Sequence, residues 1–183
     1  MNLRQRITAL IERETALGPR GRMILKTNHL VDERIIEALY QASQAGVKID
    51  IICRTTCRIV PGVPGISENI RVISILGRFL EHHRIYLFGN DGNEKLYCGS
   101  ADLHPRNLDH RVETLFPIMD PVLRTHIREN ILEMYLRDTA GASELGSDGI
   151  WRRIRPPEGE EPFSVQEWFL NASARVATRG GAD

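Results

Sequence analysis

The sequence predicts an α/β domain in which helices flank a mixed β-sheet, and two stretches of the chain carry most of this prediction. An apolar run at 23–25, an amphipathic segment and the run VKIDIIC at 47–53 follow one another, an order that produces two parallel strands joined by a helix. Farther along, the turn GNDGN at 89–93 separates two short apolar runs. This is typical of an antiparallel hairpin, because Gly, Asn and Asp tolerate the positive φ of tight turns. Parallel and antiparallel pairs together predict a mixed sheet.

The two helices of the first half have recognisable starts and stops. Apolar residues recur at helical spacing over residues 1–17, which predicts a first helix that ends before Gly18 and Pro19. The second helix begins at Asp32, a favourable N-cap, and stops at Gly46, the residue type that most often ends a helix.

The other predicted elements are β-branched or amphipathic runs of ordinary length. Strands are predicted at 70–75, 84–88, 95–98, 112–118 and 150–154, and helices at 122–136 and 165–170. The segment 59–66 carries two Pro-Gly-type breaks and is predicted to be a loop. We expect one domain over residues 1–171 and a disordered tail at 172–183.

Length and composition exclude several classes of protein. The chain has 183 residues, 24 basic and 24 acidic side chains, and no apolar stretch near the ~20 residues of a membrane helix, so we expect a single cytoplasmic domain without a transmembrane segment. Its neutral net charge argues against nucleic-acid binding through bulk electrostatics. Three cysteines do not form a disulfide framework, and their spacing, with Cys98 far from Cys53 and Cys57, predicts no metal site.

Two polar clusters are the candidates for a functional site. The first is Glu81-His82-His83-Arg84, where the predicted strand 84–88 begins. Because side chains alternate across a strand, we expect His82 and Arg84 on one face and His83 on the other. An imidazole beside a guanidinium suits an anionic substrate, since arginine binds phosphate oxygens and histidine transfers protons or phosphoryl groups.

The second cluster follows the hairpin, where Gly99 and Ser100 end the returning strand. Small residues let backbone amides approach an anion, and the Ser100 hydroxyl adds a donor. The hairpin brings this strand end beside His82, so we expect both clusters in one place. Taken alone, the two clusters also fit a solvated strand entrance and an ordinary Gly-Ser turn.

The two clusters together resemble the phospholipase D superfamily. The half-site of that superfamily reads His-x-Lys, four residues, Asp, then Gly-Ser and a nearby Asn. Here Arg84 stands in place of the Lys, Gly89 in place of the Asp, and Asp102 near the Asn position. The resemblance implies a phospholipase-D-like fold, and the departures indicate a divergent member in which simple phosphodiester hydrolysis is not expected.

Four longer stretches resemble one branch, the C-terminal domain of bacterial polyphosphate kinase. They read KTNHLVDERIIEALYQASQAGVKIDIICR, PGVPGISENIRVISILGRFLEHHRIYLF, GSADLHPRNLDHRVETLFPI and RPPEGEEPFSVQEWFL, and the resemblance covers residues 2–171. It implies the second of two phospholipase-D-like domains in an enzyme that reversibly moves the terminal phosphate of ATP to polyphosphate with Mg²⁺. The family's phosphorylated histidine and magnesium-binding arginines have no counterpart here.

The resemblance also implies roles for four residues. His82 falls on the family's second active-site histidine, which contacts ATP and is expected to assist transfer as the catalytic residue. Arg54 falls on the family's ATP-phosphate arginine. Arg84 and Ser100 are expected to complete the phosphate-binding site. Arg54 ends the second predicted strand, and in parallel sheets ligands gather at the carboxyl ends of strands, so its position fits this role.

The leading hypothesis is the second catalytic half-domain of a polyphosphate kinase, with ATP or ADP as substrate, polyphosphate as second ligand and the upstream domains as partners. Mg²⁺ is expected to be held by those upstream domains. Two alternatives stay open: a phospholipase-D-like phosphodiesterase or nuclease completed by dimerisation, and a non-catalytic ATP- or polyphosphate-binding module. A homo-oligomer is compatible with all three, and any membrane association would come through the complete enzyme.

Overall fold

The computed structural model describes residues 2–179, and the strands and helices of this part of the chain follow in the order expected for an α/β fold. The strands are β1 (Arg22–Leu30), β2 (Lys48–Cys57), β3 (Ile70–Ile75), β4 (Arg84–Phe88), β5 (Lys95–Gly99), β6 (Leu115–Pro117), β7 (Ala142–Leu145) and β8 (Trp151–Arg153). The α-helices are α1 (Leu3–Leu17), α2 (Glu33–Gln44), α3 (Pro121–Ile127), α4 (Glu133–Leu136) and α5 (Val165–Arg179).

These strands form one mixed sheet in the order β6-β5-β4-β1-β2-β3-β7-β8. β1, β2 and β3 run parallel to one another, and every other neighbouring pair is antiparallel. The predicted hairpin joins β4 to β5, and Asn90 and Asp91 in its turn have the positive φ expected of these residue types. The predicted fold class, an α/β domain with a mixed sheet flanked by helices, is confirmed.

Helices cover the sheet on both faces, and a separate apolar cluster lies on each. On one face Ile7 of α1 and Leu39 of α2 pack with Leu25 of β1. On the other, Ile24 of β1 belongs to a cluster with apolar residues of α3, α4 and α5, among them Tyr135. Adjacent residues of β1 thus serve opposite faces, as a strand buried on both sides requires.

Several predicted strand boundaries are wrong. β1 and β2 are longer than predicted, with β2 continuing to Cys57, because the two strands stay paired after a bulge near the end of β1. β6 occupies only the end of the predicted strand 112–118. β7 was not predicted at all, because its sequence ASEL has no strand pattern, and it forms a strand through its pairing with β3 and β8.

Two predicted helices also differ from the observed ones. The helix predicted at 122–136 is divided into α3 and α4 by a π-helical turn, Arg128–Leu132. α5 continues to Arg179 instead of ending at Leu170, while the expectation of a disordered tail at 172–183 stays a prediction. No Gly or Pro interrupts the chain from Val165 to Arg179, which favours continuation. Residues 180–183 lie outside the described part.

No helix within residues 2–179 is long and apolar enough to cross a membrane.

Candidate active site

The segment 79–84, which we call the His82 segment, is held by arginines on both sides of His82. Residues 80–83 have no regular structure, and β4 begins at Arg84. The Nη1 group of Arg54 donates to the backbone carbonyl of Glu81, and the Nη1 group of Arg84 donates to that of His82. Two guanidinium groups therefore converge on the backbone of consecutive residues, while the His82 side chain is exposed.

Arg54 lies within β2, three residues before its end, and not at the strand end as predicted. The pairing of β2 with β3 stops at Ile52, however, so Arg54 lies where these two strands separate. Its half-buried side chain borders a cavity of about 320 Å³ that Arg153 also lines. Arg54 donates to the Glu81 carbonyl, next to His82 in the chain, while the prediction that the Arg54 and His82 side chains share one cleft stays a prediction.

Arg84 is oriented by a buried carboxylate. Asp102 is 3% exposed and accepts two hydrogen bonds from Arg84, from Nε at 3.1 Å and from Nη2 at 3.0 Å. It also accepts from the Asn28 amide at 2.7 Å and from the Thr27 hydroxyl at 2.9 Å. Burial by itself would raise the pKa of Asp102, but these hydrogen bonds outweigh it and hold the pKa below its ordinary value. The bidentate pair fixes the plane of the guanidinium.

We expect Asp102→Asn to lower stability at neutral pH and to weaken its dependence on acid. Because the pKa of Asp102 is lower folded than unfolded, its contribution is present above the ordinary pKa of 3.8 and is lost as pH falls through the folded-state pKa. Urea unfolding at pH 7 should show a loss of about 1–3 kcal/mol, with a shallower decline below about pH 4 than in the unaltered chain. Glu68→Gln, at an exposed carboxylate, is the control and should change neither. An unchanged acid profile for Asp102→Asn would contradict the assignment.

His83 and Ser100 share a different surface from the one we expected for Ser100. Arg84 pairs with Gly99 in the β4–β5 ladder, so the next position on each strand places Ser100 opposite His83. Both border an apolar cavity of about 530 Å³, which Arg84 also reaches but His82 does not line. Ser100 thus lies with His83 at this cavity, and its part in a site with His82 stays a prediction.

The groups around Ser100 and His83 restrict the hydrogen bonding of Ser100 and the protonation of His83. The Ser100 hydroxyl donates to the Glu113 carboxylate and accepts from the Thr114 amide at 3.1 Å. The His83 ring lies 5.5 Å from the Tyr135 ring, centroid to centroid. Although His83 keeps solvent exposure, removal from water on this side lowers its pKa to about 4, and the nearby positive charge of Lys26 adds to the effect. At neutral pH this imidazole is uncharged.

A buried ion pair lies below the His82 segment, and the sequence analysis did not predict it. Lys26 Nζ contacts the Glu81 carboxylate at 2.8 Å, and the two side chains are 4% and 11% exposed. Nζ also lies 4.3 Å from the centre of the Tyr135 ring. Burial lowers the pKa of Lys26, while the Glu81 charge opposes this shift. The signal in the sequence was a lysine inside the apolar run MILKT, where a charge is rarely buried unless it has a partner.

The described residues contain no ready-made cluster of metal ligands. Within residues 2–179 there is no group of three or more His, Cys, Asp or Glu side chains arranged to hold a metal ion. Mg²⁺ in proteins takes oxygen ligands, mainly carboxylates, and the buried carboxylate Asp102 already accepts from Arg84.

Comparisons with known proteins agree on the family to which this chain is similar. The family model described as polyphosphate kinase C-terminal domain 2 matches residues 1–166. Polyphosphate kinase 1 of Chlorobaculum tepidum is 55% identical over 158 residues, which are 85% of this chain and 22% of the relative. A polyphosphate kinase of Xylella fastidiosa strain Temecula1 is 50% identical over 165 residues, covering 88% of this chain and 24% of the relative.

A solved structure shows the same fold. The crystal structure of polyphosphate kinase from Porphyromonas gingivalis superposes with a TM-score of 0.86 at 40% identity, covering 95% of this chain and 27% of that one. The chain therefore spans about a quarter of the length of the polyphosphate kinases it matches. With a phospholipase-D-like mixed sheet, a family model that covers most of its length and relatives at 55% and 50% identity, the chain belongs to the family of polyphosphate kinase C-terminal domains.

Proposed function

We propose that this chain supplies the half-site of a polyphosphate kinase that contacts the phosphates of ATP, in an enzyme that reversibly transfers the terminal phosphate of ATP to polyphosphate. In this proposal Arg54 and His82 contact the nucleotide phosphates and His82 assists transfer. Arg84 and Ser100 complete the site. The observation that carries the proposal is the convergence of Arg54 and Arg84 on the Glu81 and His82 carbonyls.

Arg54 has the donors that phosphate binding needs. A guanidinium carries five N–H groups, of which Arg54 directs one to the Glu81 carbonyl and one weakly to the Thr55 hydroxyl at 3.4 Å. The remaining N–H groups can reach phosphate oxygens, and the fixed positive charge offsets the negative charge that develops during phosphoryl transfer. The exposed His82 imidazole lies one residue from the carbonyl that Arg54 holds, so both groups can contact one bound phosphate chain.

Arg84 and Ser100 are the less direct members of the proposed site. Asp102 and the His82 carbonyl engage three N–H groups of Arg84, which leaves one on each terminal nitrogen for phosphate. For Ser100 to donate to phosphate, its hydroxyl must leave the Glu113 carboxylate. We therefore assign the primary contacts to Arg54 and His82.

The isolated chain is expected to bind ATP without becoming phosphorylated on histidine. The resemblance places the family's acceptor histidine in an upstream domain, so His82 corresponds to a different residue. Incubation with ATP and Mg²⁺, followed by intact-mass analysis under non-acidic conditions, should show no added phosphate, while calorimetric titration with ATP should show binding that Arg54→Ala weakens. A phosphohistidine on this chain would overturn the assignment. Hydrolysis of a phosphodiester by the chain alone would favour a phospholipase-D-like hydrolase instead.

A further inference from the structure

Gln166, in the first turn of α5, is bound to the His82 segment by every polar atom of its side chain. The amide oxygen accepts from the Phe79 backbone N–H at 3.0 Å. The amide nitrogen donates to the Phe79 carbonyl and to the Glu81 carboxylate, both at 2.9 Å. Gln166 is 7% exposed, so these bonds form away from solvent, where leaving a partner unpaired is costly.

The chain around the His82 segment is shaped to receive this side chain. A Cβ atom placed on Gly77 would lie 2.5 Å from the Gln166 amide oxygen, closer than real Cβ contacts allow. The lack of a side chain at this position lets the backbone approach α5 closely enough for the Phe79 hydrogen bonds.

Gln166 itself has a fixed position. The Val165 N–H, at the start of α5, donates to the Asp138 carboxylate at 2.8 Å. The other oxygen of Asp138 accepts from the Gly141 and Ala142 N–H groups, at 2.6 and 2.9 Å, where β7 begins. Asp138 is 1% exposed, so the first turn of α5 is attached to the sheet through a buried carboxylate.

The Glu81 carboxylate connects Gln166, at the attached start of α5, to the proposed phosphate site. Gln166 and Lys26 hold its two oxygens from α5 and β1. Burial would raise the pKa of Glu81, but the Lys26 charge and these hydrogen bonds lower it, so Glu81 is ionised. The backbone carbonyl of the same residue accepts from Arg54. A shift of the Glu81 side chain therefore displaces both Arg54 and the adjoining His82.

We propose that Gln166 is a positioning residue that holds His82 and Arg54 in place for phosphoryl transfer without touching the nucleotide. The inference rests on the proposed function of those two residues. It concerns a side chain that follows the His82 segment by more than eighty positions, with strands β5 to β8 and helices α3 and α4 between the two in the sequence.

The test uses a complete polyphosphate kinase carrying this domain, with Gln166→Met as a variant of similar shape that makes no hydrogen bonds. We expect kcat to fall about tenfold or more, with a smaller change in the KM for ATP, because a hydrogen bond to a charged group is lost where geometry matters most in the transition state. Glu167→Gln, at the exposed neighbouring position, is the matched control and should retain full activity.

The pH dependence of kcat in Gln166→Glu distinguishes a positioning role from a purely structural one, because a purely structural role would leave that dependence unchanged. Its carboxylate would lie against Glu81 and lack the N–H donors, so activity should be low at neutral pH. As the pH falls, the pair takes up a proton, the resulting carboxylic acid can donate, and kcat should recover relative to the unaltered enzyme. A parallel loss of activity at every pH would overturn the proposal, and so would a kcat for Gln166→Met equal to that of the control.

His82→Ala, measured in the same assay, distinguishes a failure of the positioning role of Gln166 from a failure of the proposed phosphate site. If His82→Ala is inactive and Gln166→Met is not impaired, the positioning role fails while the proposed phosphate site stands. If His82→Ala has full activity, the site assignment fails and the positioning role fails with it.

Discussion

Replacing Arg54 or His82 with alanine in a complete polyphosphate kinase that carries this domain is expected to lower kcat by about tenfold to a hundredfold or more. Each variant would lose charge-assisted hydrogen bonds to phosphate, worth about 1.5–3 kcal/mol each, and each ~1.36 kcal/mol corresponds to a factor of ten in rate. Initial rates of ATP-dependent polyphosphate synthesis over a range of ATP concentrations give kcat and KM separately. Thermal melting temperatures should change little, because neither side chain belongs to the apolar clusters.

Matched substitutions nearby test whether the loss is specific. Arg58→Ala and His126→Ala remove the same side-chain types at exposed positions of the same domain and should leave kcat within about twofold. His83→Ala should matter far less than His82→Ala, since His83 faces the Tyr135 ring. A larger loss for His83→Ala than for His82→Ala would reverse the assignment of the two adjacent histidines.

Lys26→Met is expected to destabilise the isolated chain by about 3–5 kcal/mol, the largest stability change we predict. Removal of one partner from a buried ion pair leaves the other charge without compensation, and Glu81 would remain in a largely buried position. Methionine has similar length and no charge, so lost packing contributes little. Urea unfolding followed by far-UV circular dichroism measures the free energy of unfolding, with the slope of the transition checked for two-state behaviour.

Two further variants identify the cause of that loss. Arg20→Met breaks an ion pair with Asp91 in which both side chains are more than half exposed, and should cost less than about 1 kcal/mol. The double variant Lys26→Met/Glu81→Leu removes both charges and should recover much of the stability lost in the single variant. Equal losses in the single and double variants would mean that packing, and not an unpaired charge, dominates.

The parts of the fold that could be predicted from sequence are those with local causes. The N-cap at Asp32 and the turn around Asn90 and Asp91 lie where their residue types require. β7 could not be predicted, since its four residues pair with β3 across a long stretch of intervening chain. The interruption of the helix by the π-helical turn Arg128–Leu132 likewise has no local signal that we can identify.

The candidate site also contains residues whose placement could be predicted from the sequence and residues whose placement could not. The family resemblance predicted that Arg54 and His82 share one site; the structure shows Arg54 bound to the carbonyl of Glu81, the residue before His82, and the shared phosphate site stays a prediction. Ser100 lines the same apolar cavity as His83, a placement that alternation within one strand could not give, because it depends on the register of the neighbouring strand. Gln166 carried no sequence signal, since an isolated glutamine at the start of a helix is ordinary and its partners lie far away along the chain.

The attachment of α5 to the His82 segment sets an order of events during biosynthesis. Phe79 and Gln166 are separated by 87 positions, and at about 5–20 residues per second the ribosome needs roughly 4–17 s to add that length of chain. For nearly all of this interval the nascent chain contains His82, Arg54 and Lys26 but not the glutamine that binds the Glu81 carboxylate. The Glu81 side chain can therefore take its final position only after α5 has been synthesised and has docked.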